Sequence, residues 1–117
     1  MVVLFQMLAE LVEDFHDDLT NGQAGTDGTT LFAKTQTGLQ TAVGASDVAL
    51  VDKTFTSTTV SANHLLNTST ATGNTFAEFE VNNGSVSYNR AVKAGISHET
   101  TDELNVFHTF DFEIVVF

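Results

Sequence analysis

The chain contains no cysteine, which removes disulfides, thiolate zinc sites and cysteine nucleophiles together. Proline is also missing, so the turns must rely on glycine and asparagine. Basic residues number only four, Lys34, Lys53, Arg90 and Lys93, against fifteen acidic ones, leaving a net charge of −11. Binding to nucleic acid requires cations that replace condensed counterions, so this balance excludes a nonspecific nucleic-acid partner. No apolar run approaches the roughly 18 residues that would suggest a membrane-spanning helix. The segment Met1 to Leu19 lacks a basic start and a small-residue cleavage site, so neither a membrane partner nor a secretory signal is expected.

What is present points to one domain. A length of 117 residues suits a single unit, and 42% hydrophobic residues can fill a core. Carboxylates are spread along the chain, lysine is scarce and threonine abundant. A small body at −11 repels itself in dilute solution, whereas at about 1 M salt the Debye length falls to roughly 3 Å and that repulsion fades. The composition therefore predicts a protein of concentrated salt. The alternatives are an ordinary acidic domain and a DNA mimic, and the latter needs phosphate-like spacing of carboxylates on one face.

Helical periodicity is confined to the start. Leu4, Leu8, Leu11, Phe15 and Leu19 recur at steps of four, three, four and four, with Met7 and Val12 widening the stripe. Glu10, Glu13, Asp14, Asp17 and Asp18 take the other side, and Asn21-Gly22 is a candidate cap. The reading is an amphipathic helix over 1–21, a Gly-rich connection over 22–28 and an antiparallel β-domain over 29–117. Thr29–Thr35, Phe55–Val60 and His64–Thr70 are the weaker strand candidates. Thr75–Val81 alternates well, Asn83-Gly84 predicts a type I′ hairpin, and Val86–Arg90 alternates after it. Leu104 to Phe117 reads as a central, two-sided closing strand. The expected architecture is mainly β, a small antiparallel β-sandwich or jelly-roll-like domain behind one helix. If that domain fills its own core, the helix stripe is spare, and Leu4, Leu8, Leu11 and Phe15, with the terminal Phe117, become the candidate interface residues.

Chemistry is harder to find. His16, His64, His98 and His108 form no H-x-x-x-H or H-E-x-x-H, and His108 lies on the apolar face of the last strand as a core or interface histidine. Asp14, Asp17 and Asp18 lack the spacing of a calcium loop and read as a solvated face. Glu78 and Glu80 sit two residues apart and could in principle be paired hydrolytic carboxylates; solubilising surface acids are the better reading. Serine occurs in no G-x-S-x-G, and Gly25-Thr26-Asp27-Gly28 lacks the lysine and spacing of a phosphate loop. Asn67-Thr68-Ser69 and Asn83-Gly84-Ser85 match the glycosylation sequon. No catalytic residue, metal or cofactor is expected.

From about Thr30 onward the features run in the order Thr37-Gly38, Ser46-Asp47-Val48-Ala49-Leu50, Phe79 to Val86 around Asn83-Gly84, Ala94-Gly95-Ile96 and the closing Glu103 to Phe117. In that order they resemble a family of small virion proteins of tailed viruses. Where that family often has an acidic residue before the Ala-Gly pair, this chain has Asn89-Arg90-Ala91-Val92-Lys93. The resemblance implies a non-enzymatic structural protein, placed as a tail appendage, baseplate component, capsid decoration or turret. Together with the salt-suited composition it implies a virion of a virus infecting halophilic archaea. The implied partners are further copies of the chain, as a trimer or pentamer, and other virion proteins; a receptor- or carbohydrate-binding module of a tail fibre or turret is the alternative. The acidity yields a direct test. Thermal melts at molar salt should lie many degrees above melts at low salt, and equal midpoints would exclude a salt-dependent fold.

Overall fold

A computed structural model describes residues 2–115; the candidate interface residue Phe117 lies outside the described residues. The fold is mainly β, one N-terminal helix followed by antiparallel sheets, as the alternation implies. Helix α1 spans Val2–Asp18, and strands follow at β1 Asn21–Gly25, β2 Val48–Ala49, β3 Val51–Phe55, β4 Thr59–Leu66, β5 Asn74–Asn82, β6 Ala91–His98 and β7 Leu104–Asp111. They form a four-stranded sheet of order β2-β1-β5-β6 and a three-stranded sheet of order β3-β4-β7.

The core divides in two. Ala24, Leu66, Phe76 and Phe79 pack between the sheets with Ile96, Leu104 and Val106 around them. Phe76 and Phe79 share this side, although three residues apart, because the β5–β6 register shifts between Phe76 and Glu78; a bulge adds the residue that restores the face. Leu8, Val12, Leu19, Val60 and Val81 form the second cluster, joined by Phe15, Phe110, Phe112 and Ile114. Here the helix seals one end of the sandwich. Phe15 stands edge-on to Tyr88, Phe110 and Phe112 at 5.1, 5.0 and 5.3 Å between ring centroids, the geometry in which ring quadrupoles attract.

The end of α1 is held by a cation from elsewhere in the chain. Lys53 Nζ donates to the carbonyls of His16 and Leu19 at 2.9 and 2.7 Å. It thereby satisfies free carbonyls of the last turn and offsets Asp17 and Asp18, which oppose the helix dipole there. Asp52, at φ 53°, sits in the β3 irregularity immediately before Lys53. Asn21-Gly22, expected as the cap, instead opens β1.

Other expectations need correction. The Gly-rich connection over 22–28 holds β1, whose Gly22 lies so close to His64 that an added Cβ would come within 2.5 Å of its ring. Thr29–Thr35 is exposed loop, not strand. Phe55–Val60 is split by the turn between β3 and β4, where Thr56 Oγ1 binds the turn's own backbone at Thr58 and Thr59. After β5 the hairpin turn is present, but only Gly84 takes positive φ, at +90°. A I′ turn needs two such residues, so the turn is not of that type; the Asn83 side chain instead accepts the N–H groups of Ser85 and Val86. Its return arm touches β5 at Ser87 and becomes a strand only at Ala91.

The closing strand ends at Asp111 and, among the described residues, is an edge strand paired to β4 alone, not a central one. Phe112 N–H bonds Thr58 O at 2.8 Å, and Phe112 and Ile114 then pack against the helix cluster. The spare stripe must likewise be divided, since Leu8 and Phe15 belong to the core. Val12 is fully buried and Leu11 is 58% exposed. Val12→Ala should therefore cost about 1–3 kcal/mol in urea denaturation, while Leu11→Ala should leave the transition of the isolated chain nearly unmoved.

Candidate functional site

Between β1 and β2 the chain makes a long excursion, residues 26–42, closed at its base by Thr26 N–H to Thr41 O at 3.0 Å and a bridge between Gly25 and Ala42. It has the form of an Ω-loop, with neighbouring ends and a span without regular structure. Beneath it runs the face of β5 that carries Glu78 and Glu80, and both are buried. The expectation of solubilising surface acids is thus overturned: the loop covers them.

Glu78 is the anchor. Its Oε1 accepts Arg90 Nε at 2.7 Å and Gln40 N–H at 2.8 Å. Its Oε2 accepts Thr41 N–H at 2.7 Å and Asp27 N–H at 3.3 Å. Four donors match the roughly four acceptor positions of a carboxylate. Both side chains of the ion pair are essentially inaccessible. Burial alone would raise the Glu78 pKa, but the donors from Gln40, Arg90, Thr41 and Asp27 outweigh it and hold the group below its ordinary value. Arg90 spends its remaining donors on the same loop, on Thr30 O at 2.9 Å, Gln36 Oε1 at 3.3 Å and Asp27 O at 3.2 Å. Gly25 is required beside this pair, because a Cβ there would collide with Glu78 Oε2 and Thr41 O. A carboxylate so saturated and so dry is equipped to hold a loop, not to exchange protons with a substrate.

Asp27 closes the loop's first turn. Hydrogen bonds from Thr30, side chain and backbone, and from Thr29 hold its carboxyl well below the usual range. Glu80 takes the other end of the loop, accepting Leu39 N–H at 3.3 Å and Asn82 Nδ2 at 2.9 Å. It forms the floor of a polar hollow of about 310 Å³ walled by Gln23, Thr37, Asp47 and Ser87. A second hollow of about 230 Å³ adjoins it through Thr37, Gly38 and Ser87 and is flanked by Phe32 and Tyr88. Leu31 and Phe32 stand out on this loop, 82% and 59% exposed.

The histidines do not converge. His16 packs against Phe55 with the rings tilted at 48° and 4.6 Å between centroids, and His98 bonds Asn67 O at 2.9 Å. Among the described residues no group of three or more His, Cys, Asp or Glu is placed to hold a metal ion. His64 and His108, both buried, lie two pairs apart on β4 and β7. His64 Nε2 faces Ser46 O at 2.8 Å and must carry the proton, leaving Nδ1 without a partner. Asn89 Nδ2 faces His108 Nδ1 at 3.3 Å, which assigns that proton to Nε2, also without a partner. Burial pushes both pKa values down, with His64 adding to the effect on His108, which falls to about 4.

Both sequon asparagines are engaged. Asn67 Oδ1 accepts from Ser69 and Thr70, while Asn83 Nδ2 reaches Tyr88 Oη at 3.1 Å and Asp18 Oδ2 at 3.2 Å.

The candidate interface residues separate by depth. Leu8 and Phe15 face inward, whereas Leu4 and Leu11 remain 39% and 58% exposed. Met7, at the edge of the stripe, is 59% exposed, and Val3 and Phe5, outside it, are 65% and 57% exposed. Leu4, Met7, Leu8, Leu11 and Ile114 line a groove of about 500 Å³ whose remaining lining is acidic, Glu10, Asp14 and Glu113. Comparison of the chain with protein-family models, curated proteins and solved structures finds no match.

The buried pair and the buried histidines can each be tested. Arg90→Met leaves Glu78 as an unpaired buried charge, and loss of one partner of such a pair costs about 3–5 kcal/mol; chemical denaturation should show it, with the 26–42 amides losing exchange protection. Acid should act through the histidines. Unfolded histidine takes up a proton near pH 6.5, but folded His108 does so only near 4. The histidine contribution is therefore complete above pH 6.5 and lost as pH falls toward 4. Melting temperature at fixed molar salt should decline across that window, and His108→Gln should flatten the decline.

Proposed function

We propose that this protein is a non-enzymatic structural component of a tailed-virus particle, assembling with further copies of itself on the capsid, as decoration or turret, or on the tail. One observation carries the assembly: the first half of α1 presents Val3, Leu4, Phe5, Met7 and Leu11 to solvent on a chain of net charge −11. Apolar side chains clustered in this way on a highly charged body are what a partner surface covers. The setting in a virion of a halophile's virus rests on the likeness of the β-domain to small virion proteins and on the acidic, lysine-poor composition.

Sedimentation at molar salt is the test. The wild-type chain should form a defined oligomer, and the double variant Leu4→Ser/Leu11→Ser should be monomeric with unchanged circular dichroism. A wild-type monomer at every concentration would overturn the assembly. A second reading, a receptor- or carbohydrate-binding module, is favoured by Leu31 and Phe32, which stand exposed on the loop beside the two joined polar hollows. It expects saccharide binding that is lost in Phe32→Ala while the oligomer persists.

A further inference from the structure

We infer that the exposed half of α1 pairs with the same half of a second copy in antiparallel orientation, about a two-fold axis near Met7. The inference rests on the assembly reading above and adds the partner's orientation to it. Leu4, Met7 and Leu11 are spaced three and four apart, as in the seam of a two-helix coil. They lie beside the buried row of Leu8, Val12 and Phe15, not within it. The next positions of the same seam are Asp14 and Asp18, both exposed. The seam is thus apolar at its amino-terminal end and acidic at its carboxy-terminal end.

That polarity selects the orientation. Parallel helices would lay Asp14 against Asp14 and Asp18 against Asp18, and would set two bodies of net charge −11 side by side. A parallel ring of three or five copies multiplies the same clash around its axis. Antiparallel helices place Leu4 opposite Leu11 and Met7 near its own copy. Asp14 then arrives at the start of the partner's helix, where the positive end of the dipole and free backbone N–H groups favour an acid. The two β-domains meanwhile move to opposite ends of the pair.

The seam is small. At their exposures Val3, Leu4, Met7 and Leu11 leave about 400 Å² of surface per copy, so full pairing removes about 800 Å², the size of a weak, reversible contact. The groove between α1 and Ile114 gives the partner's side chains about 500 Å³ to enter.

The lack of cysteine in the chain makes the test clean. Leu4→Cys and Leu11→Cys replace exposed residues, so each variant should keep the fold. The two, distinguishable by a mass tag, are oxidised at molar salt both separately and mixed. In the mixture the disulfide joining position 4 of one copy to position 11 of the other should dominate, with little like-with-like product. Disulfides formed within each variant alone would overturn the antiparallel pairing while leaving assembly intact. Oligomers by sedimentation with no disulfide of either kind would overturn α1 as the seam. Monomers throughout, in the wild type as well, would instead overturn the assembly reading itself.

Discussion

A carboxylate and a guanidinium, both out of reach of water, hold the most irregular part of this molecule in place. Glu78 and Arg90 meet at 2.7 Å, and between them they bind backbone or side-chain groups of Asp27, Thr30, Gln36, Gln40 and Thr41. The excursion over 26–42 contributes little apolar burial of its own; Thr29 to Thr35 is exposed throughout. Its order comes from polar saturation. Such a pair adds little net stability compared with an apolar pair of the same shape, yet breaking it is costly. Its effect is to specify one arrangement of the loop, and with it the roof over β5.

Of the four cations, two have a traceable use. Arg90 is committed to the buried pair and Lys53 to the end of α1. Lys34 and Lys93 remain exposed. The two cations with the clearest structural roles therefore neutralise charge inside or against the fold, while most carboxylates stay at the surface. Basic side chains thus screen few of those carboxylates, and the rest face only the ions of the solvent.

Where hydrophobic period and burial agree, the sequence was legible. The helix over Val2–Asp18, strand β5, the Asn83-Gly84 turn and the inward row Leu104, Val106, His108 and Phe110 could all be read from spacing. The failures share a cause: polar or small residues placed inside. Glu78 and Glu80 look like an exposed strand face until a distant loop is folded over them. Gly22 and Gly25 look like a linker, but they are small because His64 and Glu78 press on the strand. The one clue available was Arg90, the sole arginine in the chain. The helix stripe misled in a different way, since a single apolar sector held two adjacent rows, one for the core and one for solvent.

The loop over 26–42 is secured chiefly through its main chain. Glu78 and Glu80 grip the N–H groups of Asp27, Leu39, Gln40 and Thr41, and Arg90 grips the carbonyls of Asp27 and Thr30. Main-chain groups are common to nearly every residue type, so this attachment is largely indifferent to the side chains it carries. Leu31 to Lys34 could diverge freely among descendants of this gene while the framework beneath stayed constant. A lineage under pressure to change what its surface displays would find here a cassette whose contents can be rewritten without renegotiating the fold.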